Sequence, residues 1–261
     1  MILFTRGVAR LMHSFFNRFP AAWVDSSLSR LLLAFAITLV FTVLARALRG
    51  VNFSGAIAGS IVCLILLLAS GPAAFVALAC VFGLAWLSTR LGYSRKQRLG
   101  TAERREGRKA SQVLANLGVA TVCAAIYAWR GQPIFLVAFA AALTEPAADT
   151  VSSEVGQAYS ATARVITTGR SVQAGTNGGV TLAGSLAGAA GALAVALVCV
   201  TGELISWRAV GITTVAGILG MFADSYLGAV FEGRSLNNDM VNFLGTLIAA
   251  LSAAAFWFAA T

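Results

Sequence analysis

The chain reads as an all-α polytopic membrane protein of about seven to eight transmembrane helices, with a polar site on the cytoplasmic face. Three observations predict this. Hydrophobic residues make up 58% of the 261 residues and charged residues only 11%, against about 25% charged in soluble domains. Apolar windows of about 20 residues, the length that spans a bilayer, recur from end to end. The polar residues are not scattered but gathered in three stretches, roughly 92–110, 145–179 and 231–240.

Residues 1–27 are amphipathic and basic, with Arg6, Arg10 and Arg18 among Phe15, Phe16 and Phe19, which suits an interfacial helix more than a cleaved signal peptide. Residues 28–261 read as one helical membrane domain. The first span covers roughly Leu28–Leu48. The second, roughly Phe53–Ser70, carries Gly55 and Gly59, a small-xxx-small pair that suits close helix contact. Ser70-Gly-Pro72 breaks the chain before a third span, roughly Ala73–Leu91. The fourth (roughly Gln112–Trp129) and fifth (roughly Ile134–Leu143) flank a short Arg130–Pro133 turn. The sixth (roughly Val180–Val200) is built on Gly184, Gly188 and Gly191; the seventh (roughly Val210–Val230) is interrupted by Asp224; the eighth is roughly Val241–Ala260. The glycine-rich sixth and seventh spans suit tight packing within one chain or between two copies in a homodimer.

Charge sets the orientation. The net charge is +9, but eight of the 19 basic residues lie between Arg90 and Lys109. A basic loop of that kind belongs on the cytoplasmic side and does not suggest nucleic acid. Counting crossings from it places all three polar stretches on the same cytoplasmic face of a multi-pass inner-membrane protein, while the opposite turns are short. The same count puts the basic N-terminal segment outside, which leaves its topology open.

Several chemistries are excluded. The four cysteines lie in apolar runs and read as core residues, and the single histidine allows neither a Ser-His-Asp triad nor a Cys/His metal cluster. No G-x-x-x-x-G-K-[ST] phosphate loop is present. What remains is oxygen-rich. On a helix Glu145 and Asp149 share a face, and two such carboxylates favour a cation between them. Mg²⁺ fits, because it is held by one or two carboxylates together with substrate phosphates. Thr150, Ser152, Ser153 and Glu154 follow at once. Asp224 sits in an apolar helix, where a charge costs roughly 2.5–3.5 kcal/mol and marks function. Glu232 lies within about 80° of its face, with Gly228 between them, and Asn238, Asp239 and Asn242 offer further oxygens. The segment Thr167-Thr168-Gly-Arg170 and the turn Gly175-Thr176-Asn177-Gly178-Gly179 precede a helix, an arrangement that favours anions.

Together, GRKASQVLAN (107–116), ADTVSSE (148–154), ITTGR (166–170), GTNGGV (175–180) and DSYLG (224–228) resemble the phytyl-phosphate kinase family of integral membrane proteins, over roughly residues 30–260. The resemblance implies phosphoryl transfer from a nucleoside triphosphate, CTP or another, to a prenyl monophosphate, giving the diphosphate. Glu145-Pro146 and Asn177 depart from the family's expected small, hydroxyl or acidic residues. On this reading Asp149, Glu154 and Asp224 hold Mg²⁺ and the nucleotide phosphates. Arg170 and the turn at Gly175, Thr176, Gly178 and Gly179 cradle phosphate, with Ser153, Thr168 and Ser225 as hydroxyl donors. Arg105, Arg108 and Lys109 neutralise the nucleotide, and Gln112, Asn116, Asn238 and Asn242 position substrate. The rival readings are a lipid-phosphate cytidylyltransferase and a transporter of a lipid-linked or anionic small molecule.

Overall fold

Eight helices long and apolar enough to cross a membrane run through the computed structural model, which describes residues 27–102 and 106–260. They are α1 (Ser27–Ala47), α2 (Phe53–Ser70), α3 (Pro72–Arg90), α5 (Ala110–Arg130), α6 (Pro133–Tyr159), α7 (Leu182–Thr201), α8 (Trp207–Phe231) and α9 (Asn238–Ala260), with a short α4 (Tyr93–Leu99) in the basic loop. The N-terminal basic segment to residue 26 and Arg105 lie outside the described residues.

Local chemistry sets the helix ends. Pro72 and Pro133 occupy first turns, where a missing N–H is harmless. Between α2 and α3 stands Gly71 at φ 81°, in the left-handed region that glycine adopts without strain. Asn52 and Thr181 cap α2 and α7, accepting from Gly55 N–H at 2.9 Å and from Gly184 N–H at 3.0 Å.

Helix α6 is the axis of the bundle, touching α3, α4, α5, α7, α8 and α9. Its interior is a run of small residues (Ala138, Ala140, Ala141, Ala142, Ala147, Ala148) with Phe139 and Leu143 buried among them. Small side chains let backbones approach. The glycines of α7 exploit this: a Cβ at Gly188 would lie 2.7 Å from Ala148 O, and one at Gly191 3.3 Å from Ala147 O. The glycine stripe thus packs within the chain, against α6.

Two expectations are corrected here. The fifth span was expected to end near Leu143, with a polar loop from 145 to 179; α6 instead continues through Pro146 to Tyr159. At 27 residues it is about 40 Å long, beyond the roughly 30 Å of hydrocarbon. Residues too polar for lipid are tolerated because they face the bundle interior instead. The rest of that stretch is a small antiparallel sheet of order β2-β1-β3, with β1 (Thr162–Val165), β2 (Ser171–Gln173) and β3 (Gly179–Val180). Thr162 pairs with Gln173 and Arg164 with Ser171 on one side, and Val165 pairs with Gly179 on the other. The second correction concerns Gly55 and Gly59. Gly55 meets the backbone at Arg108 and a Cβ there would lie 3.2 Å from Val51 Cβ, while a Cβ added at Gly59 meets nothing within 4 Å.

The described part of the basic loop is tied to its neighbours. Arg108 N–H donates to Gly50 O at 3.1 Å and its carbonyl accepts from Asn52 N–H at 2.9 Å, sewing the loop to the α1–α2 turn. Arg95 reaches Ser160 O at 2.8 Å, covering carbonyls at the C-terminal end of α6, where a cation is favoured. Lys96 is fully buried; its ammonium donates to Thr89 O at 2.7 Å and forms an ion pair with Glu154.

Candidate active site at the polar end of the bundle

All three polar stretches meet at one end of the bundle, around a cavity of about 360 Å³ lined from α5, α6, the sheet and its turns, α8 and α9. Asp149, Ser153 and Glu154 enter it from α6, Asp224, Ser225 and Gly228 from α8, and Asn238 and Asn242 from α9. Arg108, Gln112 and Asn116 close one side, and Gly175, Thr176, Gly178 and Gly179 another. Residues more than a hundred positions apart thus share one hollow, because α6 extends past the hydrocarbon and carries its acidic turn up to the loops.

The turn at 175–179 is seated on α8. A Cβ at Gly178 would lie 2.8 Å from Ser225 O and 2.8 Å from Ala229 Cα, so only glycine fits. Gly228 faces the same turn: a Cβ there would lie 3.7 Å from Gly178 N, in ordinary contact. A side-chain hydrogen bond from Asn177 to Glu232 pins the turn to the end of α8. Burial pushes the Glu232 carboxyl above its ordinary range, and this hydrogen bond pulls it partly back.

The charges inside are arranged in opposition. Arg108 acts electrostatically on Asp149 and donates to Thr150 Oγ1 at 3.2 Å. With its amide oriented by the hydrogen-bond network, Asn242 donates to Asp224 Oδ2 at 3.1 Å and to Asn238 O at 3.2 Å. Glu154 lines the cavity but is already neutralised by Lys96, its side chain 12% exposed. Among the described residues, no three acidic, His or Cys side chains form a ready-made metal group. A divalent cation held by one or two carboxylates, with phosphate oxygens completing its shell, would fit the donors that line the cavity. Asp149 and Asp224 are the carboxylates so placed.

Other expected residues stand elsewhere. Thr168 and Arg170 sit at the exposed β1–β2 turn and do not line the cavity. Lys109 is at the rim, 3.2 Å from Asp239. Gln112 is partly structural, its side-chain oxygen accepting from Lys109 N–H at 3.0 Å. Asn116 donates back to Gln112 O at 2.8 Å. Sequence reasoning missed Lys96, which nothing distinguishes from its basic neighbours, and left Glu232 and Asn177 outside the site.

Deeper in the bundle Glu145 is 1% exposed, and neither of its oxygens has a hydrogen-bond partner. It is wedged where Gly245 and Gly220 leave room: a Cβ at Gly245 would lie 2.6 Å from Glu145 Oε1 and 3.3 Å from Asp224 Cβ.

A second cavity of about 380 Å³ adjoins the first and shares Arg108, Gln112 and Asn116 with it. Its other walls are mostly apolar, from α1, α2, α3 and α5.

Comparison with known proteins places the chain. The integral membrane protein DUF92 family matches residues 36–250. Protein VTE6, chloroplastic, of Arabidopsis thaliana is 32% identical over 217 residues, 77% of this chain and 65% of that protein. An uncharacterized membrane protein of Methanocaldococcus jannaschii is 32% identical over 228 residues, covering 86% of this chain and 93% of the archaeal one. Protein PGR of Arabidopsis thaliana is 30% identical over 253 residues, 85% of this chain and 87% of its own. No solved structure matches. With its family match covering most of the eight-helix bundle, the chain belongs to the DUF92 family of integral membrane proteins, the family its motifs resemble.

Proposed function

We propose that the protein transfers a phosphoryl group from a nucleoside triphosphate to a prenyl monophosphate, forming the prenyl diphosphate. The observation that carries this reading is the polar cavity itself. Opposed carboxylates (Asp149, Asp224), a cation (Arg108) and a glycine turn converge at one end of a lipid-embedded bundle.

Phosphoryl transfer asks a protein mostly for positioning and charge stabilisation. An oxygen of the prenyl monophosphate attacks the terminal phosphorus of the nucleotide, the bond to the bridging oxygen breaks, and the nucleoside diphosphate leaves. Arg108 meets the charge shared by the two phosphates. The Gly175–Gly179 turn supplies backbone N–H donors other than those of Thr176 and Gly179, which bond to Gln173 O and Thr176 O, and Ser153, Ser225, Asn238 and Asn242 orient oxygens around the site. Asp149 and Asp224 would hold Mg²⁺, which, when bound, neutralises phosphate charge. Asn242 orients Asp224, and the Lys96–Glu154 pair fixes the loop beside α6. We place this end on the cytosolic side of the inner membrane, where the basic loop belongs and nucleotide is available.

A transport reading is favoured by one observation, the unpartnered buried Glu145 beside Pro146. Ionisable residues and interrupted helices at membrane depth also mark substrate pathways. Product analysis separates the readings. Protein in detergent is given Mg²⁺, labelled nucleotides and phytyl, geranylgeranyl or farnesyl monophosphate. Prenyl diphosphate with matching nucleoside diphosphate is the expected outcome. Pyrophosphate with a nucleotidyl lipid would identify a cytidylyltransferase instead, and nucleotide-independent flux in proteoliposomes without turnover would identify a transporter.

A further inference from the structure

The second cavity has a shape and chemistry of its own. Phe41, Ala45, Val81, Phe82 and Trp86 make up much of its wall, between α1, α2 and α3. Two of these belong to an aromatic cluster, in which the Phe41 ring meets Phe75 at 5.2 Å and Phe82 at 5.4 Å, both edge-on. Its lining carries three cations, Arg49, Arg90 and Arg108, and among the described residues no carboxylate lines it. It therefore has an apolar body and a cationic side, and on that side Arg108, Gln112 and Asn116 are shared with the polar cavity.

An occupant must match both halves: a hydrocarbon chain in the body and an anion on the cationic side. At about 380 Å³ the space lies at the low end of ligand cavities, which run from about 300 to 1,000 Å³. That suits one chain rather than the two of a diacyl phospholipid. Gly59 is the opening in the α2 wall: a Cβ there meets nothing within 4 Å, so the glycine serves no close helix contact and its missing side chain leaves free space.

We propose that this cavity seats the single hydrocarbon chain of a lipid monophosphate, its phosphate held at Arg108, and that Gly59 and Phe41 set the chain length admitted. This rests on the lipid-phosphate reading of the polar cavity and adds where the chain lies and which residues measure it. Gly59 gives the chain room beside α2, and Phe41 is the wall against which a longer chain stops.

The test is binding without nucleotide, so that it stands apart from turnover. Full-length protein in detergent is challenged with a photoreactive geranylgeranyl monophosphate, competed by unlabelled geranylgeranyl monophosphate, farnesyl monophosphate or dioleoyl phosphatidic acid, and the adducts are mapped. Adducts in α1, α2 and α3 around Phe41, Gly59 and Trp86 are expected, with phosphatidic acid a poor competitor. Gly59→Leu should weaken geranylgeranyl monophosphate about tenfold and farnesyl monophosphate less, because leucine occupies space the longer chain needs. Gly59→Ala, which favours the helix and takes little space, should bind nearly as wild type. Phe41→Ala should shift preference toward the longer chain. Adducts confined to other helix faces, equal binding of both chain lengths by Gly59→Leu, or competition by phosphatidic acid as strong as by the prenyl phosphate would overturn the proposal. Chain binding at this cavity with no diphosphate formed on adding nucleotide would sink the kinase reading and leave the chain seat standing. Diphosphate formation with unchanged chain preference in Gly59→Leu would do the reverse.

Discussion

Helices α1 and α6 are both long enough to cross a bilayer, yet they live in different solvents. Only 17% of the apolar window of α1 is buried inside the protein, against 83% for α6. Leu39, Val40 and Val43 of α1 point outward, at 65%, 68% and 60% exposure. The helix that carries Glu145, Asp149 and Glu154 is the one that lipid scarcely touches. Hydrocarbon penalises polar groups and does not drive apolar ones inward, so a span is buried for the groups it must hide and not for its apolarity. The span that carries three carboxylates becomes the axis, and its polar turn becomes the site.

The comparison breaks most easily at the point where α6 is held at its polar end. Lys96 is fully buried against Glu154, and removing one partner of such a pair leaves the other uncompensated. Lys96→Met should therefore destabilise the protein by about 3 kcal/mol, the low end of the range for buried pairs because Glu154 also opens onto the cavity. A marked fall in apparent Tm in detergent would show it, and adding Glu154→Gln should recover most of the loss. Identical melting of the single variant and wild type would mean that the pair does not anchor the loop.

Packing at the axis comes next. A Cβ at Gly188 would lie 2.7 Å from Ala148 O and 2.9 Å from Ser152 Cβ, so Gly188→Val overpacks the α6–α7 contact and should cost about 1–3 kcal/mol. The smallest effect belongs to α1. Val40→Leu, which faces outward, should change stability by less than about 0.5 kcal/mol. Parallel thermal melts of these two variants would sharpen the contrast; equal losses would remove it.

Much of this was legible in the sequence. Apolar length alone gives the spans, since little except a helix satisfies its backbone across a bilayer. The basic loop and the isolated Asp224 point to one polar end, and α6 and α8 do bring Asp149 and Asp224 to a single cavity there. The course of α6 was not legible. Pro146 and the acidic, hydroxyl-rich turn after it carry the composition of a loop, and only the neighbouring helices make them helical. The sheet was hidden for a related reason, its strands being four, three and two residues long and too short to show alternation. Lys96 could not be told from Arg95 or Arg98, because the burial that distinguishes it is tertiary. Gly59 looked like a packing residue because spacing shows which residues share a helix face but not what lies opposite.

The account turns on Asp149 and Asp224 acting together in the polar cavity. The most direct test measures nucleotide-dependent formation of prenyl diphosphate by wild type, Asp149→Asn and Asp224→Asn, each in detergent and each shown by its melting curve to be folded. Loss of a group that stabilises charge in the reaction typically lowers turnover by about 10²–10³. Each variant is expected to fall by at least that much, with the folded fraction unchanged. Full turnover in either folded variant would contradict the account, because the carboxylates that α6 and α8 carry to the polar end would then have no part in the chemistry.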